Sequence, residues 1–176
     1  MLWVVRFGRL ILVMNWAAVK VVFCDVDGVM TDGGIYFGPQ GQLFKRFNIH
    51  DGYGMRKLVE AGVKVIVISA DDNDIVPARA SRLRLSEVHM AVKDKAALVR
   101  EILSREAFSP EEAVFIGDDE IDVAAMKEVG IPVAVASAHP SAKAVAAYVT
   151  SRPGGHGAVR EVCDLILAAR AAAFSS

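Results

Sequence analysis

Short apolar runs alternate with helix-like segments along most of the chain, and this alternation limits the folds that the chain can adopt. A continuously apolar run indicates a strand that is buried on both faces. Strands are predicted at residues 19–24, 63–69, 87–90, 112–117, 131–137 and 147–150, and helices at residues 51–61, 74–85, 94–106, 121–129, 141–147 and 158–173. Strands separated by helices predict an α/β, Rossmann-like fold, in which helices cover both faces of a mostly parallel sheet.

Size and charge exclude several classes of protein. A chain of 176 residues forms one domain with a single core. A content of 53% hydrophobic and 23% charged residues argues against disorder. The formal net charge of −1 gives no overall field that would attract nucleic acid or an anionic membrane. Cys24 and Cys163 each lie in an apolar run, and we interpret them as buried, reduced thiols of a cytoplasmic protein.

The first 18 residues are treated as an N-terminal extension with no assigned function. The segment MLWVVRFGRLILVM is apolar but contains Arg6 and Arg9, and it is too short to span a bilayer. It also lacks the small-residue cleavage site of a secretory signal. Met14 is an alternative start, and a loosely attached arm is the other interpretation.

Two aspartates follow the first predicted strand in the sequence VVFCDVDGVMTDGG. Side chains two residues apart on an extended chain, such as Asp25 and Asp27, point the same way about 6–7 Å apart. Repulsion between them is offset if a divalent cation binds there. Gly28 permits the tight turn by which the chain leaves the sheet. The alternative interpretation of DVDG on its own is a solvated acidic turn.

A second acidic cluster, GDDEID, follows the strand predicted at residues 112–117. The helix after it would place Asp118 and Asp122 on one face, with Asp119 between them in the sequence. In parallel sheets the carboxyl ends of the strands share one edge, where ligands bind. Carboxylates from two such ends form the hard oxygen site that Mg²⁺ accepts.

A phosphate site would also need hydroxyl and cationic donors. Ser69 ends the strand VIVIS and can donate its hydroxyl hydrogen. Lys95 opens the helix after AVKDK, where the positive end of the helix adds to its charge. Lys93 is the competing candidate, and either lysine alone fits an ordinary solvated charge.

The motifs DVDGVMTDGG, VIVIS, KDK and GDDEID, in this order, resemble the four motifs of the haloacid dehalogenase phosphatases. The resemblance covers residues 19 to about 167 and implies a single phosphatase domain at residues 19–173. It implies that Asp25 is the nucleophile. It also implies that Asp27 is the general acid and base, and that the backbone carbonyl of Asp27 ligates Mg²⁺.

The same resemblance implies roles for the other motif residues. Ser69 and Lys95 would bind the phosphate. Asp118 would ligate the metal together with Asp25 and Asp27, while Asp119 and Asp122 would support the metal and its waters.

Three further segments narrow the resemblance to a capless subgroup acting on 3-deoxy-2-keto sugar acid phosphates. The first is GGIYFGPQGQLFKRFN, which is a predicted β-hairpin flap. The other two are HDGYGMRKL and, near the end of the chain, GGHGAVREVCDLIL. The subgroup implies a homotetramer in which hairpins meet at the centre. It also implies that Gly154 and Gly155 let the C-terminal segment approach a neighbouring subunit's site, although a plain turn before a helix is the alternative for GGHG.

The choice of sugar acid has two interpretations. The C-terminal segment favours 3-deoxy-D-manno-octulosonate 8-phosphate, a precursor in lipopolysaccharide synthesis. Asp71 stands where phosphatases of that substrate carry arginine, and with Arg82 as its partner it resembles relatives that act on nine-carbon, neuraminate-type nononate 9-phosphates. As an alternative, Asp71 caps the following helix. His50 and His156 are interpreted as residues at the rim of the site.

Two other possibilities are less favoured. The histidines lack metal-ligand spacing, so zinc is not expected. A catalytically silent assembly protein on the same fold would typically lose the nucleophile, the acid or the lysine, and all three are present here. Arg160 is a possible phosphate or carboxylate contact, but we predict a solvated helix arginine instead.

Overall fold

The computed structural model describes residues 3–7, 10–39 and 41–174. The strands are β1 Trp3–Phe7, β2 Leu10–Met14, β3 Val21–Cys24, β4 Tyr36–Gly38, β5 Gly41–Phe44, β6 Lys64–Ile68, β7 Glu87–His89, β8 Ala113–Gly117, β9 Ile131–Ala134 and β10 Tyr148–Val149. The α-helices are α1 Ile49–Glu60, α2 Ile75–Leu83, α3 Lys95–Arg105, α4 Glu120–Met126, α5 Pro140–Val145 and α6 Ala158–Phe174. Short 3-10 helices lie at Trp16–Ala18 and Pro110–Glu112. None of the helices in these described stretches is long and apolar enough to cross a membrane.

The predicted α/β fold is confirmed. Six strands form one parallel sheet in the order β10-β9-β8-β3-β6-β7, and β3 lies between β6 and β8. All four residues of β3 and all five of β8 are buried, as their uninterrupted apolar sequences predict. The rings of Phe23 and Phe115 stack across these two strands with centroids 6.5 Å apart.

The bounds of α2 differ from the predicted helix at residues 74–85. Arg84 adopts a left-handed conformation with φ 57°, and its N–H donates to the Ser81 carbonyl oxygen. Leu85 N–H reaches back to the carbonyl oxygen of Ala80. This backbone turn ends the helix after Leu83, and no glycine or proline in the sequence marks it.

The predicted hairpin is formed by β4 and β5, which pair antiparallel; Gln40 of its turn lies outside the described residues. Tyr36 stacks on Phe44 with centroids 4.3 Å apart. Phe37 and Leu43 are 74% and 59% exposed, so the hairpin presents an apolar surface. Phe47 is partly buried against the core, and the Arg79 guanidinium carbon lies 5.7 Å from its ring centroid.

Part of the predicted N-terminal extension packs on the domain. Met14 and Trp16 are buried in the same core as β3, and the Trp16 ring meets the Tyr148 ring edge to face at 5.7 Å. Strands β1 and β2 pair antiparallel with each other. Residues 1, 2, 8 and 9 of the predicted extension lie outside the described residues.

Candidate active site

Three neighbouring strands of the sheet deliver the predicted site residues to one edge. Asp25 follows β3, Ser69 follows β6 and Asp118 follows β8, and β3 is the strand between the other two. Oxygens of Asp25, Asp118 and Asp122 lie within 4.8 Å of one another. Residues far apart in the sequence thus form one acidic cluster because the strands are parallel and adjacent.

Lys95, at the first position of α3, lies inside this cluster. Its Nζ donates to Asp25 Oδ1 at 2.8 Å and to Asp122 Oδ1 at 2.7 Å. The side chain is only 3% exposed, whereas Lys93 is exposed. Lys95 is therefore the lysine that the fold directs to the site.

Asp122 shapes the turn between β8 and α4. Its Oδ2 accepts from the backbone N–H groups of Asp118 at 3.0 Å and Asp119 at 3.4 Å, while Oδ1 accepts from Lys95. Both of its oxygens are thus engaged within the chain. Asp119 is exposed and caps α4 by accepting from the N–H of Glu120.

The cluster carries more negative charge than Lys95 can balance. Burial, followed by repulsion from Asp122, raises the pKa of Asp25 to about 7 against the opposing effect of Lys95. Burial and the neighbouring aspartates raise the pKa of Asp118 to about 8. Burial lowers the pKa of Lys95, but the combined effect of Asp25 and Asp122 is larger and raises it. The pKa therefore lies above its usual value, and the ammonium stays charged.

The donor set and its space fit a divalent cation. The oxygens of Asp25 and Asp118 are hard ligands of the kind that Mg²⁺ selects. Gly28 keeps the space beside Asp118 open, because a β-carbon on Gly28 would lie 1.9 Å from Asp118 Oδ2. A left-handed φ of 82° separately favours glycine at this position.

Ser69 is buried at the end of β6. Its Oγ accepts from the Asp71 N–H at 3.1 Å. A hydroxyl that accepts from the backbone keeps its own hydrogen available for another acceptor. The geometry therefore allows Ser69 to donate to an anion at the strand end.

Asp27 contacts a residue that the sequence reasoning missed. Lys45 Nζ lies 2.5 Å from Asp27 Oδ1 and 3.0 Å from Asp71 Oδ2, and its side chain is 3% exposed. Lys45 follows β5, between exposed Phe44 and exposed Arg46. This alternation along the returning strand could have indicated that Lys45 points inward.

A groove of about 550 Å³ extends from Asp27 toward the hairpin. Its lining mixes charged and apolar side chains and comprises Asp27, Gly33, Ile35, Phe37, Gln42, Lys45, Asp71, Asp72 and Asn73. A groove with this lining has room for a polar ligand that carries a few apolar faces.

The prediction that Arg82 is the partner of Asp71 was wrong. Lys45, not Arg82, lies beside Asp71, while Arg82 is exposed in the last turn of α2. The capping alternative is also incorrect, because Asn73 Oδ1 accepts from the N–H groups of Ile75 and Val76 at the start of α2. Asp71 instead accepts from the Asn73 side chain at 2.8 Å.

The approach of Gly154 and Gly155 occurs within this chain. A β-carbon on Gly154 would lie 1.6 Å from the carbonyl oxygen of Gly28, and one on Gly155 would lie 2.4 Å from the Asp32 nitrogen. The Gly155 N–H donates to the Val29 carbonyl oxygen at 3.0 Å. These two glycines therefore pack against the loop that follows β3 in their own chain. An approach of the C-terminal segment to a neighbouring subunit's site stays a prediction.

Asp51, another residue that the sequence reasoning missed, anchors the same C-terminal turn. It is buried, and its carboxylate accepts from the N–H of Gly157 at 3.2 Å and of Arg160 at 2.8 Å. Burial raises the pKa of Asp51 against the effect of these hydrogen bonds. In the sequence HDGYG it looks like one more polar residue at a helix start.

The rim residues are exposed. His156 Nε2 lies 3.3 Å from Arg46 Nη1, and Arg46 also pairs with Asp32 at 2.9 Å. His50 is exposed in the first turn of α1. Arg160 pairs with Asp164 on its own helix at 2.8 Å.

Comparisons with known proteins agree with this architecture. Residues 55–161 match the model of the haloacid dehalogenase-like hydrolases. The 3-deoxy-D-manno-octulosonate 8-phosphate phosphatase of Yersinia pestis is 45% identical over 154 residues, which cover 88% of this chain and 82% of that protein. The enzyme of the same name from Escherichia coli K12 is 40% identical over 152 residues, covering 86% of this chain and 81% of the relative.

Two solved structures resemble the whole arrangement. The crystal structure of the Yersinia pestis phosphatase superposes with a TM-score of 0.87 at 39% identity, and it covers 97% of this chain and 95% of that chain. The phosphatase from Moraxella catarrhalis, solved in complex with magnesium, phosphate and KDO, superposes with a TM-score of 0.85 at 31% identity. That match covers 92% of this chain and 94% of the other.

Proposed function

The chain belongs to the haloacid dehalogenase-like hydrolases, and from this premise we propose that it is a phosphatase of 3-deoxy-D-manno-octulosonate 8-phosphate in lipopolysaccharide precursor synthesis. The observation that carries the proposal is the cluster of Asp25, Asp118 and Lys95 at the carboxyl ends of β3 and β8 and the start of α3. Relatives with this activity at 40–45% identity support the choice of substrate.

In the proposed reaction Asp25 is the nucleophile. One of its carboxylate oxygens bonds to phosphorus while the bond from phosphorus to the sugar oxygen breaks, which leaves an aspartyl-phosphate. Lys95, 2.8 Å from Asp25, orients the carboxylate and attracts the incoming phosphoryl oxygens. Ser69 donates its free hydroxyl hydrogen to the same group.

Asp27 is the proposed general acid and base. It gives a proton to the departing sugar oxygen and then takes one from the water that attacks phosphorus, which releases phosphate and restores Asp25. The side chain of Asp27 is 46% exposed, so water can reach it.

The proposed cofactor is Mg²⁺, held by carboxylate oxygens of Asp25 and Asp118 and by the backbone carbonyl of Asp27. When bound, it supplies positive charge that offsets the charge on the phosphoryl group. Asp122 holds Lys95 and the turn after β8, and Asp119 supports the outer side of the metal site.

The groove beside Asp27 is the proposed site for the sugar acid. Its polar Gln42 and Asn73 suit a hydroxylated ligand. Asp71, which motivated the nononate alternative, is paired with Lys45, whose ammonium it shares with Asp27.

We also propose a homotetramer that acts in the cytoplasm. Ile35, Phe37, Leu43 and Phe44 form an exposed apolar surface on the hairpin. This surface supports assembly, because contact with water is unfavourable for apolar side chains and burial between subunits would remove it. Buried free Cys24 and Cys163 are compatible with a reducing compartment.

Phosphate release from three esters tests the proposal. With Mg²⁺ present, 3-deoxy-D-manno-octulosonate 8-phosphate should be hydrolysed with a higher kcat/KM than a nononate 9-phosphate, and both should exceed phenyl phosphate. Chelation of the metal should stop all three reactions. No release from any ester across neutral pH would favour a silent assembly protein, and a preference for the nine-carbon substrate would overturn the substrate assignment.

A further inference from the structure

Lys45 is a buried cation between two carboxylates that are themselves accessible. Its side chain is 3% exposed, whereas those of Asp27 and Asp71 are 46% and 42% exposed. Burial lowers the pKa of Lys45, but hydrogen bonds to Asp27 and Asp71 raise it, so the ammonium is retained. The chain thus places a charged, inward-pointing lysine directly beside the proposed acid and base.

Stability is a weak reason for this placement. A lysine taken out of water loses hydration that its ion pairs do not necessarily repay, and the ordering of its side chain opposes the gain. An apolar residue at this inward position would pack without a desolvation cost. The alternative to a stabilising role is a role in the reaction.

The lysine is also held from the hairpin side. Arg46, the next residue, pairs with Asp32 at 2.9 Å. Asp32 belongs to the same loop as Asp27, so the residues after β5 are fixed to the loop that carries the acid and base. Asp71, at the end of β6, fixes the Lys45 ammonium from the opposite side at 3.0 Å.

We propose that Lys45 is a positioning residue that fixes the carboxyl group of Asp27 for proton transfer, and that Asp71 anchors Lys45. The inference rests on the proposed role of Asp27. An exposed aspartate on a loop can adopt several rotamers, but a general acid must lie within about 2.6–3.2 Å of the oxygen that it protonates. The 2.5 Å contact with Lys45 restricts that freedom before substrate binds.

Two aryl phosphates separate positioning from structure. When an Asp25 oxygen bonds to phosphorus and the ester bond breaks, phenolate takes a proton from Asp27 as it leaves, whereas 2,4-dinitrophenolate leaves without one. The ratio kcat/KM reports this first half of the reaction. Lys45→Met should lower kcat/KM for phenyl phosphate by about ten- to a hundredfold, as partial loss of general acid catalysis requires. For 2,4-dinitrophenyl phosphate the loss should stay below about threefold.

Three further variants complete the test. Lys45→Arg keeps the charge and should recover part of the activity with phenyl phosphate. Lys20→Met removes an exposed lysine that pairs with Glu112, and it should change kcat/KM with neither substrate. In an Asp27→Asn background, Lys45→Met should cost less than about twofold more, because the two residues act as one unit.

The outcomes distinguish the inference from the proposed function. An equal loss with both esters, or no loss with either, would overturn the role of Lys45 while leaving the phosphatase assignment intact. Wild-type protein inactive toward both aryl esters and toward 3-deoxy-D-manno-octulosonate 8-phosphate would overturn the phosphatase assignment itself. If Lys45→Met does not fold, Asp71→Asn should show the same selective loss of activity with phenyl phosphate in a weaker form, and equal effects of this variant on both esters would equally overturn the inference.

Discussion

Gly28 and Asp118 are in such close contact that a single methyl group on Gly28 would occupy the position of an Asp118 carboxylate oxygen: the distance from that β-carbon to Oδ2 would be 1.9 Å. The acidic cluster therefore depends on the absence of a side chain on the loop after β3. The space between the ends of β3 and β8 is small, and the carboxylate of Asp118 fits there because Gly28 has no side chain.

Gly28→Ala should lower kcat/KM by about a hundredfold, because displacement of Asp118, a proposed metal ligand, by about 1 Å is sufficient for such a loss. Gly62→Ala is the matched control: Gly62 has a similar φ of 78°, but nothing lies within 4 Å of its β-carbon position. Both variants carry the backbone strain, and only the first should lose stabilisation by Mg²⁺ in a thermal melt. Similar behaviour of the two variants would show that backbone strain, and not contact with Asp118, is responsible.

Asp25→Asn should abolish turnover without unfolding the protein, because the amide is nearly isosteric but a poor nucleophile. Asp27→Asn should slow turnover by about 10²- to 10⁴-fold. Intact-mass measurements after rapid quenching should detect a phosphorylated protein with the Asp27 variant and none with the Asp25 variant. Phosphate release by the Asp25 variant at a rate near that of the wild type would identify another nucleophile.

Asp118→Asn should stabilise the metal-free protein at high pH. Burial and neighbouring carboxylates raise the pKa of Asp118 to about 8, so the stability linked to its protonated form is present at low pH and lost as pH rises through 8. The melting temperature of the wild type should therefore fall relative to the variant between about pH 5 and pH 8. Each kcal/mol corresponds to roughly 2–4 °C for a chain of this size.

Addition of Mg²⁺ at pH 8 should raise the melting temperature of the wild type and leave that of Asp118→Asn nearly unchanged. Glu101→Gln, an exposed change on α3, serves as the charge control and should follow the wild type. An equal Mg²⁺ response of the wild type and Asp118→Asn would remove Asp118 from the metal site.

Phe37→Ser combined with Leu43→Ser should reduce the particle size measured by light scattering, because these side chains are 74% and 59% exposed on the hairpin. The melting temperature of the separated subunit should change little. Phe47→Ser should instead lower the melting temperature, since Phe47 packs against the core. A wild-type monomer would contradict the proposed assembly.

Much of the fold followed from local patterns in the sequence. Uninterrupted apolar runs and the helices between them define β3, β6 and β8, and parallel strands necessarily place Asp25, Ser69 and Asp118 at one edge. Local patterns say less about the residues after the hairpin. Strand β5 ends at Phe44, after which Lys45 is buried and Phe47 is partly buried.

The contacts that sequence reasoning missed are those made between distant segments. Lys45 pairs with Asp71, which lies 26 positions further along the chain. Asp51 accepts a hydrogen bond from Gly157, which lies 106 positions further along. Neither spacing has a period that a local pattern could reveal. Arg82 was favoured as the partner of Asp71 because the two are separated only by a helix, while Lys45 is brought close by the hairpin.

The site is complete only when the turn at Gly154 and Gly155 packs against the loop after β3. The Gly155 N–H donates to the Val29 carbonyl oxygen at 3.0 Å, and Gly154 contacts Gly28. During synthesis on the ribosome, Asp25 and Asp27 leave the exit tunnel long before residues 154–157 do. A nascent chain would then have the proposed nucleophile but not the turn that packs against its loop, and helix α6, which Asp51 anchors, is added last. Catalytic competence is in that sense a property of the finished chain, acquired when its C-terminal helix docks.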